Sequence, residues 1–171
     1  QFWKSKFENA SQYRKSIQLI DSEYTNIFRL VNGEGDSLPG LIIDWFHGNV
    51  VIQFHSIGMY FLKDTIIQTL FENSDIEDTD GLLYGQLDEV LVHENGIPFY
   101  VDIENGQKTG FFIDQRDNRA LVGQFSKGKN VLNLFCYTGG FSLYALQGGA
   151  NLVHSVDISK RAIEWTDRNV D

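Results

Sequence analysis

A double glycine that follows an apolar strand constrains the fold of this chain most. Residues 130–135 form a continuous apolar run, which is typical of a strand buried on both faces of a parallel sheet. Gly139 and Gly140 follow it, and glycine permits the sharp turn from a strand into a helix. The spacing of apolar residues predicts that this helix continues to about Gln147.

The same order of elements repeats at once along the chain. Residues 152–156 form a second apolar strand that ends at Asp157, and residues 159–169 show helical spacing. A preceding helix is predicted over residues 114–125, with Asp114 as its N-cap. Strands that alternate with helices indicate an α/β fold with a doubly wound parallel sheet.

Asp157 stands where an open parallel sheet binds the sugar of a nucleotide. It lies 18 residues after Gly139 and ends the neighbouring strand, where a carboxylate can accept hydrogen bonds from two ribose hydroxyls. Because the turn is not a Gly-x-Gly-x-x-Gly pattern, a nucleoside cofactor is favoured over a dinucleotide. The alternative stays open that the glycines serve tight packing and that Asp157 caps a helix.

The sequence predicts two domains. Residues 1–110 are expected to form a helix followed by a small α+β domain, and residues 111–171 to form the second domain. An amphipathic helix is predicted over residues 2–20. A mainly antiparallel strand-strand-helix-strand-strand unit follows. Its predicted elements are strands at 41–46 and 49–55, a helix at 57–71, and strands at 89–93 and 97–103, with a short strand at 27–31 and a glycine-rich loop at 32–40 before them.

Composition excludes several classes of protein. The apolar fraction of 42% excludes intrinsic disorder, and no apolar run approaches the length of about 18 residues that a membrane span needs. Cys136 is the only cysteine, which excludes a disulfide framework and favours a cytoplasmic protein. The net charge of −9 is concentrated in residues 32–104, which hold one basic and fourteen acidic residues and include a predicted acidic loop at 72–80. Nucleic-acid binding by bulk charge is therefore not expected of that stretch.

Three motifs, in the same order along the chain, resemble one family of methyltransferases. They are residues 31–44 (VNGEGDSLPGLIID), 107–119 (QKTGFFIDQRDNR) and 131–142 (VLNLFCYTGGFS). The family is that of 23S rRNA large subunit methyltransferase I, which uses S-adenosylmethionine (SAM) to make 5-methylcytosine. The resemblance covers nearly the whole chain. It implies a small α+β domain followed by the N-terminal part of a Rossmann-like SAM-dependent methyltransferase sheet.

The resemblance also implies which residues bind SAM. Asp157 is expected to hold the ribose hydroxyls. The stretch from Asp114 to Arg116 is expected to border the methionine end of SAM, and Arg116 or Arg119 is suited to bind the carboxylate of that methionine end. The cofactor-binding residues carried over by position are Gln115, Arg116, Tyr137, Thr138, Gly139, Gly140 and Asp157. No catalytic residue and no metal ligand is carried over, because the family's nucleophilic cysteine follows later in its sequence. Cys136 is interpreted as a small buried residue.

The sequence also departs from the family pattern. The family's N-terminal RNA-binding PUA domain is missing, and only two of about seven sheet strands follow residue 130. The stretch at 72–85 looks shorter than in the family. We therefore expect this chain to be part of a longer rRNA methyltransferase and to transfer no methyl group by itself. The alternatives that stay open are a methyltransferase for a guanine nitrogen or a protein, a non-catalytic binding module that dimerises, and a nucleotide oxidoreductase.

Overall fold

The chain forms two compact units, residues 1–88 and 89–171. A computed structural model describes residues 1–73 and 89–171, so residues 74–80 of the predicted acidic loop and the stretch up to residue 85 lie outside the described residues. The division between the units differs from the expected one after residue 110. The reason is packing, since Phe99 lies 5.0 Å from Phe111 and 6.3 Å from Tyr144 between ring centroids. The hairpin at 90–101 therefore belongs with the second unit.

The first unit is a three-stranded antiparallel sheet covered by helices. The sheet order is β1-β2-β3, and Arg29 and Val31 flank an irregularity in the pairing of β1 with β2. Buried residues from α1, the sheet and α3 form one apolar core. The elements are α1 (Phe2–Ser16), β1 (Ile27–Asn32), a 3-10 turn (Gly33–Asp36), β2 (Leu41–Phe46), β3 (Asn49–Phe54), α2 (Ile57–Phe61) and α3 (Lys63–Asn73).

The helices of this unit differ from the apolar spacing in two places. Helix α1 stops at Ser16, and Gln18 then adopts a left-handed backbone conformation with φ 58°. The helix predicted over residues 57–71 is divided into α2 and α3, and α2 begins where the Ser56 hydroxyl accepts a hydrogen bond from the Met59 amide at 3.2 Å. In the glycine-rich loop, Asp36 pairs with Arg14 of α1, which makes Asp36 a structural residue.

The second unit carries the predicted strand–helix–strand–helix order. Strands β6 and β7 are parallel, from the pair Asn130 and Leu152 to the pair Leu134 and Val156. The α/β fold class is therefore confirmed. The elements are the antiparallel hairpin β4 (Val90–Glu94) and β5 (Ile97–Val101), a 3-10 turn (Ile113–Gln115), α4 (Arg116–Phe125), β6 (Asn130–Leu134), α5 (Gly140–Gln147), β7 (Leu152–Val156) and α6 (Lys160–Val170).

Among the described residues, the two strands of the hairpin at 90–101 pair with each other. One local expectation for this unit was wrong. Asp114 is not an N-cap, because it lies in the 3-10 turn and its carboxylate pairs with Lys108 at 3.2 Å, whereas Gln115 precedes α4. In residues 1–171, one face of β6 is exposed, since Leu132 is 62% exposed and Leu134 54% exposed, and burial of both faces stays a prediction. Among the described residues no helix is long and apolar enough to cross a membrane.

Candidate functional site

A cavity of about 780 Å³ lies at the carboxyl ends of β6 and β7. Its wall comes from three segments of the second unit: the loop that precedes α4, the turn after β6, and the start of α6 with the residues before it. A volume of this size is typical of a small-molecule site. The position is the one at which open α/β sheets bind ligands.

Packing restricts Gly139 more strictly than Gly140. Gly139 has φ +82°, and a Cβ there would lie 2.8 Å from Cγ2 of Thr166 on α6. A Cβ at Gly140 would lie 3.2 Å from Cδ of Arg119, a contact that a shift of a few tenths of an ångström relieves. Gly140 lines the cavity, whereas Gly139 is not among its lining residues. The packing interpretation of Gly139 therefore has direct support, and its role toward a ligand stays a prediction.

Asp157 lines the cavity with its carboxylate already oriented. One carboxylate oxygen, Oδ2, accepts the Tyr137 backbone N–H at 2.9 Å, and Oδ1 accepts the Ser159 backbone N–H at 2.9 Å. These bonds join the turn after β6 to the turn after β7. Since each carboxylate oxygen has two lone pairs, acceptor capacity remains for ligand hydroxyls. The geometry thus combines the capping role with the capacity for the ribose role.

Tyr137 and Thr138 both line the cavity, and their contacts with SAM stay a prediction. The Tyr137 hydroxyl accepts the Gln107 backbone N–H at 2.8 Å and donates to the Gly110 carbonyl at 3.2 Å. Burial raises the pKa of the Tyr137 phenol, so the hydroxyl remains protonated at neutral pH and can donate. Thr138 is buried, and its carbonyl accepts the Asn169 side-chain amide at 3.0 Å.

The two candidate arginines are both bound to one buried carboxylate. Arg119 contacts Glu94 through Nε and Nη2, each at 2.8 Å, while Arg116 Nε lies 3.4 Å from the same carboxylate. Arg119 and Gln115 line the cavity, but Arg116 is not among the lining residues. Of the two arginines, only Arg119 is therefore positioned near a ligand in this cavity.

Glu94 is the residue that the sequence analysis missed most clearly. It lies between the strands predicted at 89–93 and 97–103, but in the structure it ends β4, is fully buried, and also accepts the Tyr144 hydroxyl at 3.0 Å. Burial, followed by the charge of Glu94, raises the pKa of Tyr144. Its partners lie 22 to 50 residues away, so no local spacing marks it. The ion pair of Asp102 with Arg161, both on the cavity wall, was missed for the same reason.

Cys136 behaves as a buried structural residue. It is 4% exposed, and its Sγ lies 3.6 Å from Thr166 Oγ1. Burial raises the pKa of the thiol, which keeps it protonated and a weak nucleophile at neutral pH. Within residues 1–73 and 89–171, no group of three or more His, Cys, Asp or Glu side chains could hold a metal ion.

Comparison with known proteins shows the family to which this chain belongs. A family model described as S-adenosylmethionine-dependent methyltransferase matches residues 72–170, which is more than half of the chain. The chain belongs to the S-adenosylmethionine-dependent methyltransferase family. SAM as the cofactor class is thereby confirmed, and the individual residues that hold it stay predictions.

The similar curated proteins agree with the resemblance stated above. A ribosomal RNA large subunit methyltransferase I from Tolumonas auensis is 43% identical over 88% of this chain and 43% of its own length. One of the same name from Pseudoalteromonas atlantica is 38% identical over 99% of this chain and 47% of its own length. The methyltransferase chain described here thus spans less than half the length of these relatives.

Solved structures show the same fold. A protein from Streptococcus mutans named as a SAM-dependent methyltransferase superposes with a TM-score of 0.84 at 32% identity, over 98% of this chain and 47% of the other. A methyltransferase structure complexed with S-adenosylhomocysteine (SAH) has a TM-score of 0.84 at 31% identity, with the same coverage. A SAM-dependent methyltransferase from Agrobacterium tumefaciens, 21% identical over 87% of this chain and 49% of its own, shares the fold with a TM-score of 0.62.

Proposed function

We propose that the complete gene product transfers methyl groups from SAM to large-subunit ribosomal RNA, and that the cavity at β6 and β7 binds SAM. The observation that supports the site is the fixed carboxylate of Asp157 on the wall of a cavity of about 780 Å³. The substrate rests on the names of the relatives, which are ribosomal RNA large subunit methyltransferases.

The chain's own groups suit a nucleoside with a charged tail. Asp157 accepts hydrogen bonds from sugar hydroxyls, and the fully exposed Ile158 beside it offers an apolar surface to a base. Lys108 and Asp114 place charges of opposite sign on the wall, where they pair at 3.2 Å. These charges can orient a zwitterionic amino-acid end. Bound SAM supplies an electrophilic methyl group on its sulfonium.

The modified atom is proposed to be carbon 5 of a cytosine, because of the resemblance of the three motifs. In that chemistry a cysteine thiolate adds to the base, methyl transfer follows, and a base then removes the proton from carbon 5 so that the enzyme is released. The base must be unstacked to be reached. Cys136, the only cysteine of the sequence, is buried with a raised pKa, so we do not assign it this role. We therefore expect residues 1–171 alone to be inactive.

The test is a methyl-transfer assay with the complete gene product, methyl-labelled SAM and 23S rRNA from cells that lack the modification. We expect label in the rRNA, and 5-methylcytidine after digestion and mass spectrometry. Label in a methylguanosine would reject the carbon-5 assignment while retaining the enzyme class. Label in protein, or no transfer at all, would reject an rRNA substrate.

A further inference from the structure

The loop of residues 102–110 forms one wall of the cavity and is folded back on itself. The Asp102 carbonyl accepts the Gly106 N–H at 3.0 Å, and the Asp102 side chain accepts the Asn105 N–H at 2.9 Å. The Gly110 N–H donates to the Gln107 carbonyl at 2.9 Å. Hydrogen bonds within the loop therefore fix its conformation, and further contacts must hold it against the rest of the site.

Two glycines let this loop close tightly. A Cβ at Gly106 would lie 2.4 Å from the Asp102 carbonyl oxygen and 2.8 Å from the Tyr137 hydroxyl. A Cβ at Gly110 would lie 2.4 Å from the same carbonyl oxygen, and Gly110 has φ +90°. Glycine at 106 thus leaves the space that the Tyr137 hydroxyl occupies.

Tyr137 connects this loop to Asp157 and to α6. Its hydroxyl both accepts the Gln107 N–H and donates to the Gly110 carbonyl, which a phenol can do at once. Its backbone N–H donates to Asp157, and its carbonyl accepts the Thr166 hydroxyl at 2.9 Å. Its own backbone is strained, with φ 50° in a residue that is not glycine. Strain at such a position persists only when the surrounding contacts fix it.

We propose that Tyr137 is a positioning residue whose hydroxyl holds the 102–110 loop against the turn after β6, so that the loop forms a closed wall beside the bound cofactor. This role rests on the proposed function of the cavity. It differs from a contact between Tyr137 and SAM, because the hydroxyl's partners are the backbone of Gln107 and Gly110.

The other end of the loop has a separate attachment. Asp102 pairs with Arg161 of α6, and this pair does not involve Tyr137. The ring of Tyr137 packs edge-on against Phe112 at 5.3 Å between centroids, a contact that phenylalanine would keep. Removing only the hydroxyl should therefore release residues 106–110 without unfolding the unit.

The test compares Tyr137→Phe with wild type in the complete gene product. We expect SAH to bind about tenfold more weakly by calorimetry, as for the loss of two hydrogen bonds. We also expect KM for SAM to rise while kcat at saturating SAM is retained, and amide exchange to accelerate in peptides that cover residues 103–111. The matched control is Tyr100→Phe in the same unit, whose ring lies 4.3 Å from Arg168 and outside the cavity wall. This control should match wild type.

Other outcomes separate the two proposals. Wild-type SAH affinity in Tyr137→Phe, or unchanged exchange in residues 103–111, overturns the positioning role and leaves the SAM site intact. Exchange that accelerates equally in β6 and β7 also overturns it, since the hydroxyl would then be merely structural. A wild-type protein that does not bind SAH overturns the proposed function and this role together.

Discussion

Glu94→Gln should lower the free energy of unfolding of the second unit by about 3–5 kcal/mol, because it leaves buried arginine charge without its carboxylate. The Glu94 side chain is fully buried, and Arg119 is 2% exposed with three of its hydrogen bonds made inside the protein. Arg116 shares the same carboxylate. Glutamine keeps the shape of the side chain, so the expected loss is electrostatic rather than a loss of packing.

Native-state amide exchange of β4 and β5 measures this loss, since it reports the opening free energy of that unit within a larger protein. Glu89→Gln is the matched control, because Glu89 pairs with Arg168 at the surface, where both side chains are 41% exposed. That variant should change the opening free energy by no more than about 1 kcal/mol. A loss below about 1 kcal/mol for Glu94→Gln would contradict the buried network.

Gly139→Ala should destabilise the second unit by about 2–5 kcal/mol, from left-handed backbone strain and a clash with α6. The new Cβ would lie 2.8 Å from Thr166 Cγ2, and that side chain is held by hydrogen bonds from its hydroxyl to the carbonyls of Tyr137 and Ala162. Thr166→Ser in the same chain removes the clashing methyl while it keeps the hydroxyl. It should therefore recover part of the loss.

Alanine substitutions at two other glycines separate the cost of backbone strain from the cost of the clash with α6. Gly128 has φ +71° with nothing within 4 Å of its would-be Cβ, so Gly128→Ala should cost only the backbone strain of about 1–2 kcal/mol. Gly140 has no left-handed φ, and its Cβ would lie 3.2 Å from Cδ of Arg119, which must give by only a few tenths of an ångström, so Gly140→Ala should cost less than Gly139→Ala. If alanine at Gly139, Gly140 and Gly128 caused equal losses of stability in thermal unfolding or amide exchange, this account would be contradicted.

Local signals account for the parts of the site that the sequence predicts well. The strand, double glycine and helix of residues 130–147, and the strand that ends at Asp157, depend on short-range spacing, and the structure has them within one or two residues of the prediction. The cavity lies where those two strands end. The order of strands and helices therefore suffices to locate a ligand site of this fold.

Long-range packing accounts for what the sequence did not predict. Glu94 resembles any acidic residue before a turn, and its burial depends on Arg119, which lies 25 residues later. In the hairpin β4–β5, apolar and polar residues alternate as they do in a strand pair of any sheet. The hairpin belongs to the second unit because the ring of Phe99 packs near the rings of Phe111 and Tyr144. The turn glycine suggested access for a ligand, whereas its missing side chain makes room for Thr166.

The central claim is that Asp157 holds the sugar of SAM, and one calorimetric cycle tests it most directly. SAH and its 2′-deoxy analogue are titrated into wild type and Asp157→Ala of the complete gene product. We expect SAH to bind Asp157→Ala at least about tenfold more weakly, and wild type to discriminate against the deoxy analogue by about tenfold. The variant should bind both ligands equally, because the hydroxyl has lost its acceptor. Equal discrimination in both proteins would contradict the claim.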